Sequence, residues 1–172
     1  MDLEKLIYLG VGAIIGFALS LAKDWLLEGK KQKEKEKQLK RERLEELHIG
    51  FSKWVNYVVS NEMTLLAVMN NKLTFNQYLD LKIDKKTDFD AQRNEMILKV
   101  YIKSLISLHE EVRDQLEYLN HIESQYKRDY EKKGPHSTDK KYIERNKLFT
   151  EKFIVISEKF KIQLASEISK FV

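Results

Sequence analysis

The chain has 172 residues, a formal net charge of +4, 34% charged residues and no cysteine. The lack of cysteine excludes disulfides and thiolate metal sites, and the length allows one domain with its own core. With one proline and six glycines in the whole sequence, helix breakers are scarce, so the composition predicts an all-α protein.

An uncharged apolar run near the start, Leu6 to Ala22, predicts a single transmembrane helix within residues 1–27. At about 1.5 Å per residue, the stretch from Leu6 to Leu27 matches a bilayer core about 30 Å thick. A cleaved signal peptide is the alternative, but the residues before the run include Asp2 and Glu4 and make no basic leader.

Small residues recur at every fourth position inside this run, at Gly12, Gly16 and Ser20. On a helix they form one smooth stripe that the backbone of a neighbouring helix can approach closely. The stripe therefore predicts an oligomerisation and pore surface. The alternative is that small residues are simply common in membrane helices.

Residues 28–43 form a basic segment with interleaved glutamates. We interpret it as a solvated juxtamembrane helix, with a disordered linker as the alternative. Its positive charge predicts a short N-terminus outside the membrane and a cytoplasmic location for the rest of the chain. The glutamates argue against direct nucleic-acid binding. The predicted contacts with anionic lipid headgroups are Lys30, Lys31, Lys33, Lys35 and Lys37.

Residues 44–172 show apolar stripes at helical spacing and predict a cytoplasmic bundle of long amphipathic helices. The first stripe starts at Leu44 and ends before Asn70-Asn71, with Asn61 and Glu62 interrupting it. The second helix is predicted to begin at an Asp88 cap and to run to Lys132-Lys133-Gly134-Pro135. The last begins after a Thr138 or Asp139 cap and follows a stripe of Tyr142, Phe149, Phe153, Ile156, Phe160, Leu164, Ile168 and Phe171.

Residues 72–87 are ambiguous between a short helix and an extended piece. Aspartates are frequent there, but the segment lacks the glycine and the closing glutamate of a calcium loop. No phosphate-binding loop or nucleophile elbow is present. We therefore expect no metal and no cofactor.

One pair of residues could carry chemistry: Arg43 and His48, five positions apart. The spacing resembles the Arg-x4-6-His signature of the HEPN ribonucleases, which are small all-helical domains. There the arginine stabilises phosphate charge and the histidine acts as acid or base. Such a pair also arises by chance, and five positions on a helix separate the two side chains by about 140°. We therefore prefer a structural role for His48 and expect that the chain is not an enzyme.

The apolar N-terminal run, the basic segment, the helical remainder, the total length and the Arg43/His48 pair together resemble the accessory transmembrane protein of type VI-B CRISPR-Cas loci. The resemblance implies a homo-oligomeric, ring-like pore in the lipid bilayer of the bacterial inner membrane. By permeabilising or depolarising the membrane, such a pore would enhance antiphage defence by the RNA-guided RNA-cutting effector of the same locus. The alternatives are a membrane-tethered ribonuclease that uses Arg43 and His48, and a scaffold that conducts nothing.

Overall fold

The computed structural model describes the backbone of residues 3–84, 90–134 and 140–171. The side chains of residues 3–16, 18, 19, 21, 22 and 84 lie outside that description. The described residues form helices joined by short connections, which confirms the all-α prediction. The elements are α1 (Leu3–Met69), α2 (Phe75–Asp84), α3 (Ala91–Tyr101), a 3₁₀ turn (Lys103–Leu105), α4 (Ile106–Lys133) and α5 (Lys140–Ser169).

The chain divides into two units, Met1–Glu42 and Arg43–Val172. In the first unit, α1 runs as a continuous helix through the basic segment, as predicted, so the disordered linker is excluded. Glutamine and glutamate side chains four residues apart support the helix here, with Gln32 bonding Glu36 at 3.2 Å and Gln38 bonding Glu42 at 2.9 Å.

The structure corrects the predicted membrane location. In the part of the chain that it describes, no helix combines the length and the apolar character needed to cross a bilayer. From Lys23 onward every side chain of α1 is described, and charged, exposed residues recur every few positions there. Such residues are costly in hydrocarbon. This finding overturns the single-pass inner-membrane location with an outside N-terminus and a cytoplasmic C-terminal domain.

α1 ends at Met69, where the Asn70-Asn71 pair predicted the end. Asn71 has a φ of 57°, in the left-handed region. The Asn71 N–H donates to the Val68 carbonyl at 2.9 Å, and the Lys72 N–H donates to the Ala67 carbonyl at 2.8 Å. These two bonds make a Schellman motif, with asparagine in the position that glycine most often takes.

Replacing Asn71 by alanine should lower the free energy of unfolding by about 1 kcal/mol, because alanine tolerates the left-handed conformation less well than asparagine does. Asn71→Gly should keep or slightly raise stability. Urea denaturation of both variants tests this. Asn120→Ala, on the exposed side of α4, is the control and should change stability little. If Asn71→Ala is as stable as the wild type, the cap does not contribute as described.

The ambiguous segment after α1 contains a helix, α2, which begins with a capping box. The Gln77 N–H donates to the Thr74 hydroxyl oxygen at 3.2 Å, and the Thr74 N–H donates to the Gln77 amide oxygen at 2.9 Å. This reciprocal pair satisfies two N–H groups at the start of the helix. The Thr-x-x-Gln signal was present in the sequence and resolves the ambiguity in favour of a helix.

The predicted second helix is two helices. α3 ends at Tyr101, and Ile102 has φ −145° and ψ 74°, which breaks the helix before the 3₁₀ turn and α4. The break lets Ile102 and Leu105 both enter the core. Asp88, the predicted cap, lies outside the described residues. The cap of α3 is Asp90, whose carboxylate accepts from the Arg93 N–H at 3.0 Å.

The predicted C-terminal end of the second long helix is confirmed, since α4 stops at Lys133 and is followed by Gly134 with a φ of 77°. Pro135 and the predicted caps Thr138 and Asp139 lie outside the described residues. α5 begins at Lys140 and continues for 30 residues.

Two apolar clusters hold the described residues of the second unit together. The larger joins α1, α3, α4 and α5, and at its centre the Phe51 and Phe160 rings lie 4.4 Å apart. Trp54 meets Phe153 edge to face at 5.7 Å. The smaller cluster surrounds Tyr78 and contains residues of α1, α2 and α4. Most predicted stripe residues line these clusters, so the bundle prediction is correct for its core.

Candidate functional site

The pair considered as an alternative catalytic site, Arg43 and His48, lies on α1, and the two side chains have different surroundings. The Arg43 guanidinium donates to Glu46 at 2.9 Å, and Glu46 also pairs with Arg93 of α3 at 2.6 Å. The His48 carbonyl accepts a hydrogen bond from the Ser52 hydroxyl at 2.8 Å. The described contacts thus bring Arg43 to Glu46 and tie α1 to α3. They do not bring Arg43 to His48.

The predicted pore stripe falls largely outside the description. The surroundings of Gly12 and Gly16 lie outside the description, and Ser20 is exposed. The five lysines predicted to meet lipid, from Lys30 to Lys37, are all exposed on α1. Their interpretation as headgroup contacts stays a prediction.

Sequence reasoning missed a polar cluster inside the bundle. It contains Glu62 of α1, Tyr78 and Lys82 of α2, Glu123 of α4 and Asn146 of α5. The Asn146 amide donates to the Glu62 carboxyl at 2.6 Å, and both side chains are buried. The Lys82 ammonium donates to both oxygens of Glu123, at 2.7 and 2.8 Å, and lies 5.4 Å from the centre of the Tyr78 ring. Four helices therefore meet at this cluster.

Burial raises the pKa of Glu62 from 4.5 to about 7. The Asn146 hydrogen bond and the Lys82 charge lower this pKa, and the neighbouring Glu123 carboxylate raises it. Burial wins because Glu62 is only 4% exposed and an ionised carboxylate loses most of its hydration there. Glu62 therefore exchanges a proton near neutral pH.

Several buried oxygens in this region have no hydrogen-bond partner of good geometry. The Tyr78 hydroxyl is one, and its pKa is raised by burial and then by the nearby Glu123 carboxylate. Three more such oxygens lie on α5 and belong to the side chains of Asn146, Thr150 and Ser157. Each unpaired buried oxygen costs stability. These side chains make the buried face of α5 more polar than an ordinary helical core.

The polar cluster has the groups for proton transfer but not for metal binding. Among the described residues, no group of three histidines, cysteines or carboxylates could hold a metal ion. A sequence signal for Glu62 did exist, because it lies four residues after Val58 and three before Leu65, both on the buried stripe. A polar residue at stripe spacing predicts a buried polar group.

A basic groove of about 550 Å³ lies between the end of α4 and the start of α5. Tyr142 donates to the Asp129 carboxylate at 2.9 Å within it. Four cationic side chains against one carboxylate give this groove a positive potential that favours anions. The cationic residues are Arg128, Lys132, Lys141 and Arg145.

The outward face of α5 carries three large apolar side chains in one line. Leu148, Val155 and Ile162 are seven residues apart and are 48%, 67% and 68% exposed. Since a helix turns about 100° per residue, Val155 lies roughly 180° from the buried face that contains Phe153 and Ser157. We call these three residues the outward row. They occupy the side of α5 farthest from the core, where polar residues are expected.

Charged residues of opposite sign flank the outward row. One side carries an acidic row of Glu144, Glu151 and Glu158, and the other carries a basic row of Arg145, Lys152 and Lys159. On a helix, each charged row lies about 50° from the outward row. Apart from Arg145, which is half-buried, all these charged residues are exposed.

Comparison with known proteins brings no match, since no protein family fits the chain and neither a characterised protein nor a solved structure is similar enough to count.

Proposed function

We propose that this protein is a non-catalytic helical scaffold that associates with copies of itself through the outward face of α5. The observation that carries the proposal is the outward row. Single exposed apolar residues are normal on protein surfaces, but three in line on the outward side of one helix form an apolar stripe with one large side chain every two turns. Such a stripe gains free energy when another surface covers it.

The length of the stripe supports a specific contact. From Leu148 to Ile162 it spans about 21 Å at 1.5 Å per residue. A spacing of seven residues keeps side chains on nearly the same side of a helix, with a drift of about 20° per repeat. A second helix that crosses at a shallow angle can therefore touch all three residues.

The bundle can hold this face rigidly. Phe153, Phe160 and Leu164 fix the opposite side of α5 in the core, and all three are fully buried. A rigid face loses little conformational freedom when it binds, which makes a small contact surface more effective.

A ribonuclease remains the alternative function, and the contacts of Arg43 are what disfavour it. Its guanidinium is engaged by Glu46, so a phosphate would compete with a carboxylate that is also held by Arg93. A membrane pore is not part of the proposal, because it needs the location that the structure overturned. A functional link to an RNA-guided RNA-cutting effector stays a prediction from the resemblance.

Light scattering on the purified full-length chain tests the proposal. We expect a mass above 20.5 kDa that rises with protein concentration. A mass of 20.5 kDa at every concentration would contradict self-association. RNA cleavage by the same preparation, lost in His48→Ala, would contradict the non-catalytic role.

A further inference from the structure

We infer that α5 pairs with α5 of a second copy in parallel and in register, with each residue of the outward row against its own counterpart. The inference rests on the proposed self-association and adds the orientation of the two copies. It follows from the order of the rows across the face of α5, which is acidic, apolar and then basic.

The row order distinguishes the two possible symmetric pairings. A two-fold axis parallel to the helices brings the acidic row of each copy against the basic row of the other, on both sides of the apolar contact. A two-fold axis perpendicular to the helices brings acidic against acidic and basic against basic. Opposite charges at this distance attract and like charges repel, so the parallel pairing is favoured.

In the parallel pair the nearest charged neighbours between copies are adjacent in number. Glu151 faces Lys152 of the second copy, and Glu158 faces Lys159. The symmetry makes each contact twice. Within one chain, Glu158 pairs with Lys161, and the Lys152 ammonium lies 5.1 Å from the centre of the Phe149 ring. These contacts lie near the surface, where ion pairs are weak, and they can be exchanged at little cost.

The pairing is expected to be weak and concentration-dependent. Two-stranded coiled coils place two apolar residues in each repeat of seven, whereas α5 places one and has Glu151 and Glu158 where the second would stand. A contact along one helix face is at the small end of specific interfaces.

Single cysteines test the orientation, because the natural sequence has none. Leu148→Cys, Val155→Cys and Ile162→Cys should each form a covalent dimer under mild oxidation, since every position meets its own counterpart. Met96→Cys, on an exposed position of α3, is the control and should form no covalent dimer. Cross-linking at Val155 alone would indicate antiparallel pairing and overturn the inference, as would no cross-linking at any of the three.

Charge exchange tests the flanking rows. Glu151→Lys should weaken dimerisation about 10-fold, since it places lysine against lysine on both sides of the pair. Adding Lys152→Glu to the same chain exchanges the two charges and should restore the dissociation constant to within about 3-fold of the wild type. Equal dimerisation by Glu151→Lys and the wild type would overturn the inference, and so would a double variant as weak as the single one.

The outcomes separate this inference from the proposed function. A chain that is monomeric at every concentration refutes both. A chain that self-associates without the predicted cross-links and without the charge dependence refutes the parallel pairing and leaves the scaffold function standing.

Discussion

Replacing Glu62 by glutamine should raise the free energy of unfolding at pH 8 by about 3 kcal/mol. Burial raises the pKa of Glu62 from 4.5 to about 7. Each pKa unit corresponds to about 1.4 kcal/mol, so ionising Glu62 costs the folded state about 3 kcal/mol more than the unfolded state. Glutamine carries no charge and keeps an oxygen that can accept the hydrogen bond from Asn146.

The direction with pH follows from the raised pKa. Below pH 4.5 the carboxyl is protonated in both states, and its contribution to stability is complete. As pH rises through 7 the folded state must release the proton, and that contribution is lost. The two chains should therefore have similar stability at pH 4, and glutamine should gain its advantage between pH 5 and pH 8.

Urea denaturation of both chains across this pH range measures the effect. Glu117→Gln is the matched control, since Glu117 is an exposed glutamate on α4. Its free energy of unfolding should differ from that of the wild type by nearly the same amount at every pH. A Glu62→Gln chain that is less stable than the wild type at pH 8 would show that Glu62 stabilises the bundle as a charged group. That result would contradict the burial argument.

Replacing Phe160 by alanine should lower the free energy of unfolding by about 3–5 kcal/mol, whereas Ile162→Ala should change it by less than about 0.5 kcal/mol. Phe160 is fully buried against Phe51, and Ile162 is 68% exposed two residues later. The two positions are about 200° apart around α5. The pair therefore measures which side of α5 faces the core.

Denaturation of both variants at a low protein concentration keeps self-association from contributing. A large loss in Phe160→Ala with little change in Ile162→Ala places the outward row on the surface. Similar losses in the two variants would mean that α5 is rotated from the described orientation, and the outward row would then be part of the core.

The helical bundle was predictable because its apolar spacing is regular. Leu44, Phe51, Val58 and Leu65 repeat every seven residues, and all four are buried. The break at Ile102 was not predictable from the pattern, because apolar residues continue on both sides of it at helical spacing. The break depends on how Ile102 and Leu105 pack against other helices, which one segment does not reveal.

The polar cluster and the outward row were harder to predict for a shared reason. A reading of helical stripes assigns apolar residues to the core and polar residues to the surface. The polar cluster and the outward row both reverse this assignment. Glu62 and Asn146 are polar and buried, whereas Val155 and Ile162 are apolar and exposed. On α5, apolar residues on both faces give two overlapping stripes, and the contacts with α1 and α4 decide which one is buried.

The N-terminal prediction shows the limit of reading one segment by its apolar content. Its length and lack of charge indicated a membrane span, and it is part of a helix that runs from Leu3 to Met69. The described part of that helix is too polar to cross a bilayer.

Sedimentation equilibrium of the wild type, Val155→Asp and Met96→Asp tests the central claim most directly. An aspartate at the middle of the outward row would be buried unpaired in the dimer, and we expect it to weaken association by at least about 100-fold. The wild type and Met96→Asp should approach twice 20.5 kDa as concentration rises, while Val155→Asp stays at 20.5 kDa. Association of Val155→Asp equal to that of the wild type would contradict assembly through the outward face of α5.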